Sequence, residues 1–283
     1  MIQAEDKRTP IIKVVDLEKS FGDTRVLRGV NLEVYSGETM VIMGGSGCGK
    51  STLLRHMIGS LTPDTGRVEL FAQDIGSLPE RELDVIRKRF GVLFQSGALL
   101  NSLTVGQNVA LPLKEHWALD AATIDIIVRI KLNLVSMRHA IDRMPSEISG
   151  GMKKRAGLAR AIALDPDILF YDEPSAGLDP VTSTQIDRLM MDLSGKLGVT
   201  TVVVTHEMDS AFRIADRMCM LDAGVVLKVG TRQEFEAIRD GDVTGNEITD
   251  LIRQFLRGDA AGPITSRQAG SEFEKEILQA GDK

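Results

Sequence analysis

Short apolar segments rich in β-branched residues alternate along this chain with stretches whose apolar residues recur every three or four positions. The strand-length segments cover residues 11–15, 30–34, 40–43, 168–171, 200–205 and 217–221. Short apolar runs of this composition predict strands, and the three-and-four spacing between them predicts amphipathic helices. The alternation therefore predicts an α/β fold with a parallel sheet.

Two of the predicted strands, residues 40–43 and 168–171, are almost wholly apolar, as expected of strands covered on both faces. The carboxyl ends of such strands meet at one crevice. Between residues 95 and 165 the pattern becomes helix-rich, with candidate helices at 121–134 and 152–164. We therefore expect a helical lobe inserted into the α/β core.

The core pattern is predicted to end after Leu227. Residues 231–283 contain a candidate helix at 247–255, a Gly/Pro loop at 258–263 and a charged final stretch. A basic run at residues 87–89 is interpreted as a solvated face.

Charge and cysteine content narrow the function classes. The 283 residues include 34 Lys or Arg and 40 Asp or Glu, a formal net charge of −6, so no general attraction to nucleic acid or anionic lipid is expected. Two cysteines, Cys48 and Cys219, form no disulfide framework and fit a reducing cytosol. Residues 1–10 are polar, and no window reaches the roughly 18 apolar residues of a membrane helix. We expect the protein to stay inside the cell, with a partner spanning any membrane that it serves.

A phosphate-binding loop follows the strand at residues 40–43. Residues 44–51, Gly-Gly-Ser-Gly-Cys-Gly-Lys-Ser, fit G-x-x-x-x-G-K-[ST] and open a helix. Glycines let backbone N–H groups face phosphates, the helix N-terminus adds a positive dipole, Lys50 bridges the outer phosphates, and Ser51 offers a hydroxyl to Mg²⁺. The nucleotide-binding residues predicted here are Gly44, Gly45, Ser46, Gly47, Cys48, Gly49, Lys50, Ser51 and Thr52.

Two acids end the strand at residues 168–171. Asp172 closes a buried strand, so its carboxylate is expected to reach Mg²⁺ through water. The adjacent Glu173 points elsewhere, and a carboxylate near the metal and the terminal phosphate can polarise the attacking water.

The phosphate loop, the run Ser149-Gly150-Gly151 and the strand ending in Asp172-Glu173 occur in this order. Together they resemble the ATP-binding cassette (ABC) family over residues 11–235. The resemblance implies a P-loop, RecA-like core with a mostly parallel sheet, an N-terminal antiparallel β subdomain and an inserted α-helical subdomain at about residues 96–165. Residues 236–283 are then a partly flexible C-terminal extension. The resemblance also implies an ATPase that uses ATP and Mg²⁺, with Glu173 as its general base.

Further site residues follow from the resemblance. By itself a lone aromatic is more often a core residue, but Phe21 matches the aromatic that stacks on adenine in the family. Gln95 matches the Q-loop glutamine that reaches the metal, and Asp179 lies in the segment that resembles the D-loop. His206 matches the switch histidine that contacts the terminal phosphate. The remaining histidines, His56, His116 and His139, are interpreted as structural, and no zinc or iron site is expected.

Ser149, Gly150 and Gly151 resemble the family signature, which a second copy of the chain presents to the first copy's terminal phosphate. A homodimer with two composite sites is therefore implied. The segment departs from the family pattern at Ile148, where leucine is usual, and at Met152, where glutamine is usual. Neither residue supplies phosphate-binding atoms.

Chain organisation favours a transporter subunit. Chromosome-organising relatives insert long coiled coils and translation-type relatives carry two cassettes, and this chain has neither feature. Residues 93–99, 173–180, 255–258 and 262–263 resemble the ATPase of Mla-type phospholipid transporters. This implies a peripheral protein at the cytoplasmic face of the inner membrane, with a permease, an Mce-domain lipid-binding protein and in many systems a STAS-domain protein as partners, and no nucleic acid. The alternatives are the ATPase of a small-solute importer and a non-transport cassette ATPase.

Two segments retain two interpretations each. Residues 98–100, Ala-Leu-Leu, suit burial of a permease's short helix, or ordinary packing within the helical lobe. Residues 255–264 resemble a tail that reaches across to the partner ATPase, or form a plain surface loop.

Overall fold

Two β-sheets form the scaffold of the protein. The computed structural model describes residues 9–242 and 245–264. The strands are β1 Pro10–Phe21, β2 Thr24–Tyr35, β3 Thr39–Met43, β4 Thr65–Leu70, β5 Gln73–Asp74, β6 Phe90–Leu93, β7 Ile168–Asp172, β8 Thr200–Val204, β9 Arg217–Asp222 and β10 Val225–Thr231. The α-helices are α1 Lys50–Met57, α2 Glu80–Arg87, α3 Val105–His116, α4 Ala121–Leu134, α5 Gly150–Ala161, α6 Pro180–Leu197, α7 Met208–Ile214, α8 Arg232–Asp240 and α9 Glu247–Arg257.

The larger sheet has the strand order β10-β9-β3-β8-β7-β6, and all neighbours pair in parallel except β10 with β9. All but the first residue of β3 and residues 168–171 of β7 are buried, which confirms the prediction that these two strands are covered on both faces. Every residue of β8 is buried as well. Val204 of β8 lies opposite both Ile42 and Asp172. The segments that follow β3, β7 and β8 therefore leave the sheet at one edge.

The smaller sheet is antiparallel, in the order β2-β1-β4-β5, and confirms the N-terminal β subdomain. Its buried side chains share a core with α1 and one face of the larger sheet. Helices α3, α4 and α5 pack beside the other face, and their apolar residues join a second core that includes Leu169 and Tyr171. The parallel sheet thus lies between two cores.

The helical lobe contains the two predicted helices and a third, α3, that was not predicted. Helix α4 has the predicted bounds, whereas α5 begins at Gly150, before the predicted residue 152, and ends at Ala161. The earlier start has a local cause, because the hydroxyl of Ser149 accepts a hydrogen bond from Met152 N and caps the helix.

Four strands, β4, β5, β6 and β10, were not predicted, and the core continues beyond Leu227, where the sequence pattern ended it. Phe235, Leu251, Ile252 and Leu256 are buried in the larger core. The prediction was wrong here because β10 is a half-buried edge strand and α9 buries one face of a largely polar sequence.

Residues 258–264 fold back on α9. Ile264 N donates to the side-chain oxygen of Gln254 at 2.7 Å, and Ile264 packs against the chain's own core. The part of the tail up to Ile264 therefore contacts its own chain. Among the described residues, no helix combines the length and the apolarity that crossing a bilayer requires.

Candidate nucleotide site

The loop between β3 and α1 has a conformation that requires glycine. Gly44 and Gly49 have φ angles of 155° and 111°. A Cβ atom on Gly44 would lie 2.1 Å from Leu221 O, and one on Gly49 would lie 2.8 Å from a side-chain carbon of Leu27. Because neither position accommodates a side chain, the backbone is bare at Gly44 and Gly49, and the first turn of α1 adds N–H groups that have no partner within the helix.

Lys50 directs its ammonium group into this loop. The side chain is buried, and Nζ donates to Gly44 O at 2.8 Å and to Gly45 O at 2.9 Å. A positive charge and a helix N-terminus at one point form an anion site, as the motif predicted. Cys48 in the same loop is buried, and burial raises the pKa of its thiol, while the charge of Lys50 opposes the shift.

Ser51 and Asp172 come together although 121 positions separate them. Their hydroxyl and carboxylate oxygens are 3.5 Å apart, because the loop after β3 leads into α1 at the sheet edge where Asp172 ends β7. Burial, and then the neighbouring charge of Glu173, raise the pKa of Asp172, and the hydrogen bond from Ser51 opposes the shift. Hydroxyl and carboxylate oxygens suit Mg²⁺, so these two residues fit the predicted metal site. Gln95 is exposed just after β6, the strand beside β7.

Glu173 occupies a conformation that few side chains adopt. Its φ angle is 48°, and its backbone N–H donates to Val204 O at 2.9 Å. Oε1 lies 2.8 Å from Nδ1 of His206, whereas Oε2 is buried and has no hydrogen-bond partner among the described residues. One carboxylate oxygen is thus oriented by His206, and the other is free to accept a proton.

The carbonyl oxygen of Glu173 has a partner that the sequence did not indicate. Lys154 Nζ donates to it at 3.0 Å, and Ala176 N donates to it at 3.2 Å. Burial lowers the pKa of Lys154, and the nearby carboxylates of Glu173, Asp172 and Glu207 oppose the shift. Lys154 follows the Ser-Gly-Gly run by three residues, but nothing in the run predicts that its side chain turns inward.

The Ser149-Gly150-Gly151 run belongs to a different part of the surface. Helix α5 packs on α3, α4, α6 and β6, whereas α1 packs on β2, β4, β7 and β8. Ser149 and Gly150 are exposed, and a Cβ atom on Gly151 would lie 2.6 Å from a methyl carbon of Thr182. The structure therefore presents the start of α5 to the outside.

Two other predicted residues have clear local environments. Phe21 ends β1 with half of its surface exposed, and Lys19 Nζ lies 5.7 Å from the ring centroid. Asp179 caps helix α6, since its Oδ1 accepts hydrogen bonds from Val181 N and Thr182 N at 3.0 Å. The hydrogen bond from the Thr182 hydroxyl is the main cause of the lowered pKa of Asp179.

Comparison with known proteins identifies the family. Residues 27–176 match the family described as ABC transporter. This chain belongs to the ABC transporter family. As an ABC cassette it is similar to the intermembrane phospholipid transport system ATP-binding protein MlaF of Haemophilus influenzae, with 39% identity over 269 residues that cover 95% of this chain and 98% of MlaF.

The cassette is also similar to the probable ribonucleotide transport ATP-binding protein mkl of Mycobacterium leprae, with 40% identity over 98% of this chain and 79% of that protein. Among solved structures it is similar to a dimeric, post-hydrolysis state of the ATP-binding cassette MJ0796 bound to ADP and Pi. The TM-score is 0.72 at 31% identity, over 78% of this chain and 98% of that chain. These findings confirm the predicted ABC ATPase fold, and the chain is an ATP-hydrolysing subunit of an ABC transporter.

Proposed function

We propose that this ABC transporter ATPase energises phospholipid transport between the inner and outer membranes through a partner permease. The main support for this proposal is the match to MlaF, which spans 98% of that protein and so includes the C-terminal segment as well as the cassette. The Mla-like runs at residues 93–99, 173–180, 255–258 and 262–263 support the same substrate class. The protein then binds peripherally at the cytoplasmic face of the inner membrane.

A second candidate is transport of a small solute, and the name of the mkl relative, a probable ribonucleotide transport protein, favours it. The identities to the two relatives are almost equal, 40% and 39%, so identity does not separate them. Coverage does, because the match spans 79% of mkl and 98% of MlaF. We therefore place the phospholipid assignment first.

For hydrolysis we assign the chemistry to the strand ends. Lys50 and the amides of the phosphate loop bind the phosphates. Ser51, Asp172 and Gln95 are the residues that would hold Mg²⁺, and a bound Mg²⁺ would neutralise phosphate charge. Glu173 takes a proton from the attacking water as the water oxygen bonds to the terminal phosphorus and the bond to ADP breaks. His206 donates to Oε1 and holds the carboxylate in place.

The remaining site residues are assigned to nucleotide contacts in a dimer. Phe21 is exposed enough to stack on adenine. Ser149, Gly150 and Gly151 of a second copy complete the site from the opposite side, and Asp179 lies in the segment between the two sites. The dimeric MJ0796 cassette supports this arrangement.

A surface beside Gln95 is suited to the permease. Phe94 and Leu100 have 42% and 46% of their surface exposed, whereas Leu99 packs against the core. Asn108, which is fully buried, fixes the loop by accepting from Leu100 N at 2.8 Å and donating to three backbone carbonyls. The two interpretations of residues 98–100 thus apply to different leucines, and a rigid loop presents Leu100 to a partner.

The test is purification of the tagged full chain from its native membranes in mild detergent, with mass spectrometry of the proteins and lipids that accompany it. A permease with an Mce-domain protein, with or without a STAS-domain protein, and bound phospholipid would support the proposal. A permease with a receptor for soluble solutes would favour the second candidate, and ribosomal or DNA-bound partners would overturn transport. The same purification with Leu100→Asp tests the proposed permease surface. This variant should no longer co-purify with the permease, while its ATP binding is retained.

A further inference from the structure

Lys154 occupies an unusual position for a lysine. It lies on the second turn of α5 with 5% of its surface exposed, and its ammonium group donates to Glu173 O at 3.0 Å. Lysine is almost never fully buried unless its charge is paired. Here the carboxylates of Asp172, Glu173 and Glu207 supply the opposing charge. The side chain is therefore held at the end of β7 by the residues that surround the proposed general base.

The hydrogen bond from Lys154 is made to a residue with a strained backbone conformation. Glu173 has a φ angle of 48°, and a residue with a side chain keeps that conformation only where its surroundings over-determine it. Val204 O fixes the N–H of Glu173, and Lys154 and Ala176 N fix its carbonyl. Of these contacts, only that of Lys154 comes from the helical lobe.

Lys154 also shares a helix with Ser149. Ser149 caps the first turn of α5, and the helix continues without interruption to Ala161. Whatever displaces the exposed start of α5 therefore displaces the ammonium group of Lys154 as well. In the proposed dimer, the start of α5 faces the nucleotide of the opposite site.

We propose that Lys154 is a positioning residue that holds the backbone of Glu173. Through this contact Lys154 ties Glu173, which belongs to one ATP site, to helix α5, whose N-terminus serves the other ATP site. The tie between sites rests on the composite dimer proposed above, whereas the hold on Glu173 does not. Engagement of Ser149 by one nucleotide then orients α5, and α5 orients Glu173 of its own chain through Lys154. The two sites are coupled in this way.

The first test compares variants of the full chain in the purified transporter complex. Lys154→Met keeps an unbranched side chain that is one atom shorter, and it removes the donor. The kcat should therefore fall by roughly tenfold to a hundredfold, the scale expected when a catalytic group is displaced by about 1 Å. KM for ATP should stay within about threefold, since ground-state binding is not altered. Lys154→Arg restores a donor and should recover part of kcat.

Lys153→Met is the matched control, because Lys153 is the neighbouring lysine of α5 and is only half-buried. A kcat of Lys154→Met equal to that of Lys153→Met would overturn the proposal. A raised KM for ATP with an unchanged kcat would overturn it as well. If Lys154→Met does not fold, Lys154→Asn keeps a polar head on a side chain two atoms shorter, which places its donor too far from Glu173 O to replace that of lysine. Its kcat should still fall, and a wild-type value would overturn the hold on Glu173.

The second test uses heterodimers of two differently tagged copies. With Glu173→Gln in the first copy, the remaining active site uses Glu173 of the second copy and Ser149 of the first. Adding Lys50→Ala to the first copy weakens nucleotide binding at its own site, so that Ser149 of the second copy is no longer engaged. Coupling then predicts a slower turnover at the remaining site, and no further slowing when the second copy carries Lys154→Met. An unchanged rate would overturn the tie between sites.

Failure of the dimer itself is distinguishable. Ser149→Arg in the first copy, combined with Glu173→Gln in that copy, should silence the remaining site. A retained rate would reject the composite dimer and with it the tie between sites. The effect of Lys154→Met on kcat in the first test would still decide the hold on Glu173.

Discussion

Oε1 of Glu173 lies 2.8 Å from Nδ1 of His206, and this pair joins the ends of two neighbouring parallel strands. β7 ends one residue before Glu173, and β8 ends two residues before His206. The Glu173 side chain is 12% exposed and that of His206 is 59% exposed, so the carboxylate is sheltered while the imidazole faces outward. The sheet thereby places the proposed base and its proposed orienting partner at the edge that also carries the phosphate loop.

Glu173→Gln should preserve ATP binding and reduce turnover by about 10²-fold to 10⁴-fold, the usual contribution of a general base. The amide cannot accept the proton of the attacking water. ATPase rates and fluorescent-nucleotide binding measure the two effects, and size-exclusion chromatography with ATP should show a trapped closed dimer. Glu236→Gln on α8 is the control. Turnover of Glu173→Gln near the wild-type rate would remove Glu173 from this role.

Lys50→Ala should lower ATP affinity, because the buried ammonium group is the positive charge at the centre of the loop. Calorimetric titration with ATP would measure the change. Lys13→Ala, which removes a surface lysine paired with Glu33, should leave affinity unchanged. Equal affinities of the two variants would contradict the placement of the phosphates beside Lys50.

Cys48 should react slowly with iodoacetamide at neutral pH, because burial raises the pKa of its thiol and only the thiolate reacts. The rate should rise as the pH rises toward that raised pKa, and saturating ATP should slow it further by covering the loop. Cys219 is fully buried with a pKa raised to about 12, so it should react only after unfolding. Time-resolved mass spectrometry would follow the labelling of both cysteines. A labelling rate of Cys48 that is the same with and without ATP would argue against its position in the nucleotide-binding loop.

Arg213→Met should lower the free energy of unfolding by about 3 kcal/mol, as expected when one partner of a buried ion pair is removed. Asp187 is fully buried and accepts hydrogen bonds from Arg213 and, at 2.7 Å, from the Ser210 hydroxyl. Arg129→Met, which breaks the surface pair with Asp125, should cost only about 0.5 kcal/mol. Urea denaturation measures the free energy of unfolding of both variants. Equal losses in the two would show that the buried charge of Asp187 does not need Arg213 as its partner.

Ending the chain after Thr249 should destabilise the cassette, because it removes the buried Leu251, Ile252 and Leu256. Each such side chain contributes about 1.5–3 kcal/mol. Ending the chain after Ile264 keeps every described contact, so Tm and ATP binding should match the full chain. Native mass spectrometry of this shorter chain then tests assembly alone. A normal Tm after truncation at Thr249 would contradict the packing of α9.

The chemistry that depends on neighbouring residues could be predicted from the sequence. The phosphate loop needs its glycines, Lys50 and Ser51 at fixed spacing after a strand, and the two acids need only stand at the end of an apolar strand. Local order also set the bounds of α4 and the position of the helical lobe. These features were predictable because their physical requirements lie within a few consecutive positions.

Contacts between distant segments could not be predicted in this way, because they depend on the tertiary structure. Lys154 meets Glu173 across 19 positions, and Ser51 meets Asp172 across 121. The burial of α9 and the edge strand β10 likewise depend on the surface that each element covers. The direction in which a lysine such as Lys154 points is set by the packing around it, and packing joins residues that the sequence order keeps apart.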